Sequence, residues 1–202
     1  MMRKNLPLSG AIILALALLA STGCGGGGTP TGLATIRGTV VDDGTLGPVA
    51  GATVSVGTAT VQTDAQGSFE VEAQSGTRTL TINADGYDEL QATVTLSEGV
   101  NDAGARYLRP SLEAGRGAAS GTVRRNGNAT AGATIRSGDA EAVSRGDGIF
   151  NIYNLAAGSR ALTAVSDDGQ ATGFSVVDVQ AGSKTSGVTI NLGLAPPAPP
   201  VL

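Results

Sequence analysis

Two pairs of neighbouring acids, Asp42-Asp43 and Asp167-Asp168, are the side chains whose type best suits acid–base work, and Cys24 is the single thiol. Glycoside hydrolysis needs two carboxyls facing each other across a cleft. Neighbouring residues on a strand point to opposite faces, so neither pair meets that requirement by itself. The chain has no histidine, which removes the commonest metal ligand and the commonest general base at neutral pH. A serine or cysteine triad built on histidine and a histidine zinc site are excluded with it. Asp42, Asp43, Asp64, Asp147, Asp167 and Asp168 all sit in glycine-containing turns. Calcium takes about six to eight oxygens, more than a loop with one or two aspartates supplies. Bonding of each aspartate to its own turn is the expected role. No catalytic residue, metal site or cofactor is expected, and the chain reads as a non-enzyme.

Binding chemistry rests on Tyr87, Tyr107 and Tyr153, since the chain has three tyrosines and no tryptophan. Sugar sites stack rings on aromatics that combine an apolar face with a polar tip. Tyr153, placed at a strand end beside Asn151 and Asn154, is the best candidate for such a contact. Tyr87 follows a turn glycine and reads first as a cap on a sheet edge. A ligand set of Tyr153, Asn154 and Tyr87 is the carbohydrate expectation, weakened by the scarcity of aromatics, 3% of the chain. Phe69 and Phe150 are each followed two positions later by Val71 and Ile152, which places them in a core; Phe174 reads the same way.

The elements that carry these residues are strands. Asp64-Ala65-Gln66-Gly67-Ser68-Phe69-Glu70-Val71 recurs as Arg145-Gly146-Asp147-Gly148-Ile149-Phe150-Asn151-Ile152, a polar turn closed by glycine before a strand with one apolar face. The spacing, 148 less 67, is 81 positions for both the glycines and the phenylalanines. Gly121/Val123 repeat Gly38/Val40, Gly132-Ala133-Thr134-Ile135 repeats Gly51-Ala52-Thr53-Val54, and Leu162 repeats Leu80. Each copy holds about seven period-two segments parted by turn signals, the pattern of an all-β sandwich. The last segment of the first copy is expected over about Arg106 to Leu108. Arg125-Asn126-Gly127-Asn128 is a two-residue hairpin turn, because asparagine and glycine accept positive φ. The expected divisions are a first sandwich at 33–109, a linker at 110–117, a second sandwich at 118–193 and an extended, mobile proline-rich tail at 194–202. The charge of −4 with scattered cations offers no stripe for a phosphate backbone, so no nucleic-acid partner is expected.

Residues 1–23 read as an export signal. Arg3 and Lys4 give a positive start, Ala11 to Ala20 an apolar run, and Ser21-Thr22-Gly23 a small-residue exit. The run falls short of the ~20 apolar residues that a membrane-spanning helix needs. Ser21-Thr22-Gly23-Cys24 resembles the lipobox of bacterial lipoproteins, with Ser21 where leucine is usual. That resemblance implies acylation of Cys24 and attachment to a membrane of the cell envelope. Gly25, in place of aspartate, implies the outer membrane or cell surface. Residues 24–32 are then a glycine-rich tether.

The order Gly38-x-Val40, Gly51-Ala52-x-Val54, Thr63-Asp64-x-x-Gly67-x-Phe69, Gly76, Leu80, Gly86-Tyr87 resembles the carboxypeptidase regulatory-like domain, kin to transthyretin-like and starch-binding-like sandwiches. The second copy follows the same order, with Gly148 to Gly158 the closer fit. It departs at Ser144-Arg145, where the first has Thr63-Asp64, and at Gly169-Gln170, where the first has Gly86-Tyr87. The resemblance implies two tandem Greek-key, prealbumin-like β-sandwiches following a signal helix, with no active site of their own. The expected role is a non-catalytic envelope lipoprotein whose modules act as spacer and interaction domains. The alternative is a module that recognises an envelope or extracellular polysaccharide. The partners foreseen are a membrane through the Cys24 lipid, and a polysaccharide or an envelope protein.

Overall fold

Strands alternate two core-facing rows around each of two separate hydrophobic clusters. The computed structural model describes residues 32–194. The expected signal helix, Cys24 and the tail beyond Leu194 lie outside the described residues. The described residues belong to one compact unit, with no helix among them.

The first sandwich comprises β1 (Leu33–Asp42), β2 (Thr53–Val56), β3 (Ala59–Gln62), β4 (Ser68–Gln74), β5 (Gly76–Asn83), β6 (Leu90–Leu96) and β7 (Gly99–Leu108). It forms two sheets, ordered β4-β1-β7 and β3-β2-β5-β6, with β1 and β7 parallel and the other pairs antiparallel. The second comprises β8 (Arg116–Arg125), β9 (Asn128–Ala129), β10 (Thr134–Ser137), β11 (Ala140–Val143), β12 (Ile149–Ala156), β13 (Gly158–Val165), β14 (Ala171–Val179) and β15 (Lys184–Leu194). Its order repeats the first strand for strand: β12-β8-β15 and β11-β10-β13-β14, with β8 and β15 parallel. Here the two layers join into one sheet, because the start of β14 pairs with the end of β15 through Ala171↔Leu194 and Thr172↔Gly193. In the first sandwich the same corner is closed by loop backbone: Tyr87 bridges Pro110, and Asp88 N–H donates to Arg109 O at 2.9 Å.

Each core is aliphatic around one phenylalanine. Phe69 packs with Ile36, Val40, Val54, Leu80, Ile82 and Leu108; Phe150 packs with Val123, Ile135, Ile152, Leu162, Ile190 and Leu192. The repeated turn needs glycine in both copies. Gly67 and Gly148 have φ of 73° and 76°, and a Cβ would stand 2.4 Å from Val40 O and 2.8 Å from Val123 O. L-residues rarely take that φ, and both neighbours are backbone atoms.

Three expectations change. Phe174 is 71% exposed instead of buried; Ala171, Val177 and Val179 take the inner row of β14, which puts 174 and 176 on the outer one. The last strand of the first copy runs from Gly99, not Arg106. A register shift at Arg37/Gly38 leaves Ala103 as an extra residue in β7, which interrupts the alternation that marks a strand in sequence. The second sandwich starts at Arg116 and ends at Leu194, overlapping the expected linker and tail. The hairpin at Asn126-Gly127 does form, with φ of 54° and 81° and Arg125 paired to Asn128.

Candidate functional site at the junction of the sandwiches

Polar side chains converge where the end of the first sandwich meets the outer face of β12. Phe150 and Ile152 point from β12 into the second core, so Asn151 and Tyr153 face the other way. Yet both are buried, Tyr153 at 6% exposure, and Tyr153 belongs to neither core. What covers them is the turn after β1. Gly44 is buried there, and a Cβ on it would lie 3.2 Å from Asn151 O and 3.4 Å from Tyr153 Cδ2. Gly44 O accepts from the Val143 N–H at 2.9 Å, a backbone bond from one sandwich to the other.

The two neighbouring acids divide their work. Asp42 Oδ1 closes its own turn by accepting from the N–H groups of Gly44 (2.8 Å) and Thr45 (2.7 Å), while Oδ2 accepts from the Tyr87 hydroxyl at 2.9 Å. Asp43 reaches across instead. Its carboxylate pairs with the Arg145 guanidinium and accepts from the Tyr153 hydroxyl at 2.5 Å. Asp43 is 14% and Arg145 26% exposed at the side chain, so water screens this pair far less than an exposed one. The Arg145 guanidinium also lies 4.1 Å from the centre of the Tyr107 ring, in range for cation–π attraction. Arg145 Nε is buried without a hydrogen-bond partner.

Asn154 anchors the linker. It lies between Ile152 and Leu155, where the pairing register shifts, with φ of 57°, a region that asparagine tolerates better than most residues. Its Oδ1 accepts from the Glu113 N–H at 2.9 Å, its Nδ2 donates to Ser111 O at 3.2 Å, and its own carbonyl accepts from Arg116 Nη1 at 3.3 Å. The other side of the linker is tied to the first sandwich by the Ser111 N–H to Gly86 O bond and the Ser111 hydroxyl to Asp88 Oδ1 bond, 2.9 and 2.8 Å.

Burial, and then the Asp42 carboxylate it donates to, push the Tyr87 hydroxyl up to about 12. Burial also raises Tyr153, against the pull of Arg109 and Arg145. Lys184, which donates to Asn151 Oδ1 at 3.1 Å, is lowered by burial and by the charges of Arg109 and Arg145. All these hydroxyls stay protonated at neutral pH. The arrangement can therefore hold two bodies together.

The structure thus brings Tyr153, Asn154 and Tyr87 to one junction, with their polar tips spent on protein partners. Tyr153 sits within β12 rather than at its end. Tyr87 alone also borders open space, a cleft of about 680 Å³ shared with Gln62, Asn83 and Asp85. Asp167 and Asp168 do not face each other across a cleft. Asp168 accepts from the Ser166 hydroxyl, the Gln170 N–H and Arg125, which hold its carboxyl well below the usual range. Among the described residues no three acids, histidines or cysteines cluster as a metal site would require. Cys24 lies outside them.

Sequence reasoning passed over Asp43, Tyr107 and Arg145 as a set. The signal was the departure at Ser144-Arg145. Ser144 keeps the work of Thr63. Each buried hydroxyl accepts from an alanine N–H (Ala133, Ala52) at 2.9 Å and donates to a carbonyl (Thr130, Val49) at 2.7 Å. Arg145 does not keep the work of Asp64, which closes its turn by accepting from Gln66 and Ser68 N–H. That turn duty passes to Asp147, which accepts from the Ile149 N–H at 3.0 Å. Arg145 is freed for the junction.

Residues 35–104 match the family model of the carboxypeptidase regulatory-like domain. That span covers β1 to most of β7, so the first sandwich carries the family's pattern. No curated protein matches the sequence. Among solved structures, the chain is similar to a type II cohesin–X-dockerin complex from Acetivibrio cellulolyticus at 20% identity and TM-score 0.34, covering 37% of this chain and 56% of that one. The Bacillus anthracis TIE protein matches at 14% and TM-score 0.35, over 79% of this chain and 34% of that one. The minor pilin GBS52 of Streptococcus agalactiae matches at 11% and TM-score 0.31, over 85% and 99%. The chain thus spans about half and a third of the first two. These likenesses carry no functional inference.

Proposed function

We propose that this chain is a non-catalytic spacer and interaction protein of the cell envelope, held to a membrane by a lipid on Cys24, with its second sandwich a diverged copy of the first. The junction carries the reading. A bending linker would leave Tyr153 and Asn151 in water; here the sandwiches bury them against each other and lock the linker at both sides. Two sandwiches held together at such a junction present their loops as interaction surfaces. Asp42 and Asp168 bond within turns, and Asp43 serves this lock. Feeding labelled palmitate to cells that make the chain tests the anchor: label retained by the wild type and lost in Cys24→Ser supports it, and an unlabelled wild type in the soluble fraction overturns it.

The cleft beside Tyr87 favours a second reading, recognition of a polysaccharide. Gln62, Asn83 and Asp85 supply polar groups around one aromatic edge, and placed polar groups are what orient a ligand in a cleft. Affinity electrophoresis against soluble glycans tests it. Retardation by one glycan, abolished by Asn83→Ala at this exposed position, would support the reading, and free migration on every glycan would remove it.

A further inference from the structure

Cations that the sequence scatters are gathered at the junction. Arg109 follows β7, Arg145 follows β11 and Lys184 opens β15, yet all three stand around Tyr153. Arg145 is joined to it through Asp43, which binds both. Lys184 donates at 3.1 Å to Asn151, which shares the outer face of β12 with Tyr153. Arg109 stands beside the Tyr153 hydroxyl, and its charge acts on Lys184 as well. The acids at hand are already engaged: Asp43 holds Arg145, and Asp42 serves its own turn and Tyr87. Among the described residues, neither Arg109 nor Lys184 lies within salt-bridge range of a carboxylate. Both residues are exposed. Cations held near one another repel, and an anion set between them removes that cost.

We infer that Arg109 and Lys184 bind the carboxylate of an acidic sugar, whose ring packs against Tyr107. The guanidinium fork matches a carboxylate, and the ammonium adds a point charge. Tyr107 is what favours a sugar over an acidic peptide. It lies two positions before Arg109 and points away from the core that takes Leu108. Although the Arg145 guanidinium lies 4.1 Å from its ring centre, Tyr107 stays 41% exposed. An accessible aromatic with an apolar face and a polar tip is suited to stacking on a sugar ring. The first sandwich supplies Tyr107 and Arg109, and the second supplies Arg145 and Lys184, so the site exists only while the junction is formed. It shares no residue with the cleft beside Tyr87, and either site can fail without the other.

Calorimetric titration of the full chain, carrying Cys24→Ser, with polygalacturonate, its methyl ester and polyglutamate tests the site. Polygalacturonate should bind and the uncharged ester should not. The affinity should fall roughly tenfold in Arg109→Gln and in Lys184→Gln, as the loss of one charge-assisted bond predicts. Lys184→Arg, which keeps the charge, should retain binding, and this separates the charge from the fold. Arg37→Gln removes the same charge from an exposed position on β1 and should leave the affinity unchanged. Tyr107→Leu should weaken polygalacturonate. Absence of polygalacturonate binding, or an equal loss in Arg37→Gln, would overturn the proposal. Polyglutamate bound as tightly as polygalacturonate, with no loss in Tyr107→Leu, would overturn it in favour of an acidic peptide.

Discussion

The two sandwiches share one strand order and one buried-hydroxyl device, but they spend their loops differently. In the first, the turn aspartate Asp64 serves its own turn, and the turn after β1 reaches outward with Asp43. In the second, the position of Asp64 holds Arg145, which receives Asp43, while Asp147 takes over the turn. The corner between layers differs as well, closed by the Tyr87 loop in one and by β14–β15 pairing in the other. The two cores are built alike, and the sandwiches differ at Arg145, Asn154, Phe174 and Val176 on one side and at Asp43 and Tyr87 on the other.

Substitutions at matched positions sharpen that contrast. The largest effect is expected at the glycines of β1 and β8. A Cβ at Gly121 would stand 1.9 Å from Val188 O, whereas one at Gly38 would meet Gly104 O at 2.7 Å and the Phe69 ring at 3.0 Å. Gly121→Ala should cost about 3 kcal/mol and Gly38→Ala about 2, at the upper end of overpacking effects. Urea denaturation of both variants checks the order, and equal costs would mean that the second sandwich relaxes as readily as the first. Thr63→Val and Ser144→Ala should each cost about 2 kcal/mol, since each strands a buried N–H and a carbonyl. A clear difference between them would break the equivalence of the two hydroxyls.

Arg145→Ala should cost about 1.5 kcal/mol, between the ≤1 of exposed pairs and the 3 to 5 of fully buried ones. Its effect should shrink in an Asp43→Ala background to what the Tyr107 contact contributes, as a double-mutant cycle by urea denaturation would register. The smaller effect of Tyr87→Phe, about 1 kcal/mol for the lost bond to Asp42, depends on pH. The folded state holds this proton more tightly than the unfolded one, so the advantage of the tyrosine is complete below pH 10. It is lost as the pH rises through about 12. The stability gap between wild type and Tyr87→Phe should close over that range, and a constant gap would contradict the assignment. Phe174→Gln, which restores the residue found at Gln91, should shift stability by no more than about 0.5 kcal/mol, as exposed positions do.

Much of the fold is legible in the sequence because both cores obey period-two alternation and the repeated glycine turn marks where strands begin. The parts that escape it have local causes. The extra residue Ala103 interrupts β7 and conceals its first half. Phe174 looks like a core residue by type, yet parity with Val177 places it outside. Tyr153 and Asn154 can be singled out as functional by type, but what they touch depends on the docking of another sandwich, and no local pattern encodes that. The departure at Ser144-Arg145 is visible in sequence; its meaning requires Asp43, 102 positions away.

Locking of the sandwiches at the Asp43–Arg145–Tyr153 junction is tested most directly by a distance between spin labels on Glu72→Cys in β4 and Asp178→Cys in β14, in a Cys24→Ser chain. Both positions are exposed. One narrow distance distribution, broadened when Asp43 and Arg145 are both changed to alanine, is the predicted result. A broad distribution in the chain with its junction intact would contradict it.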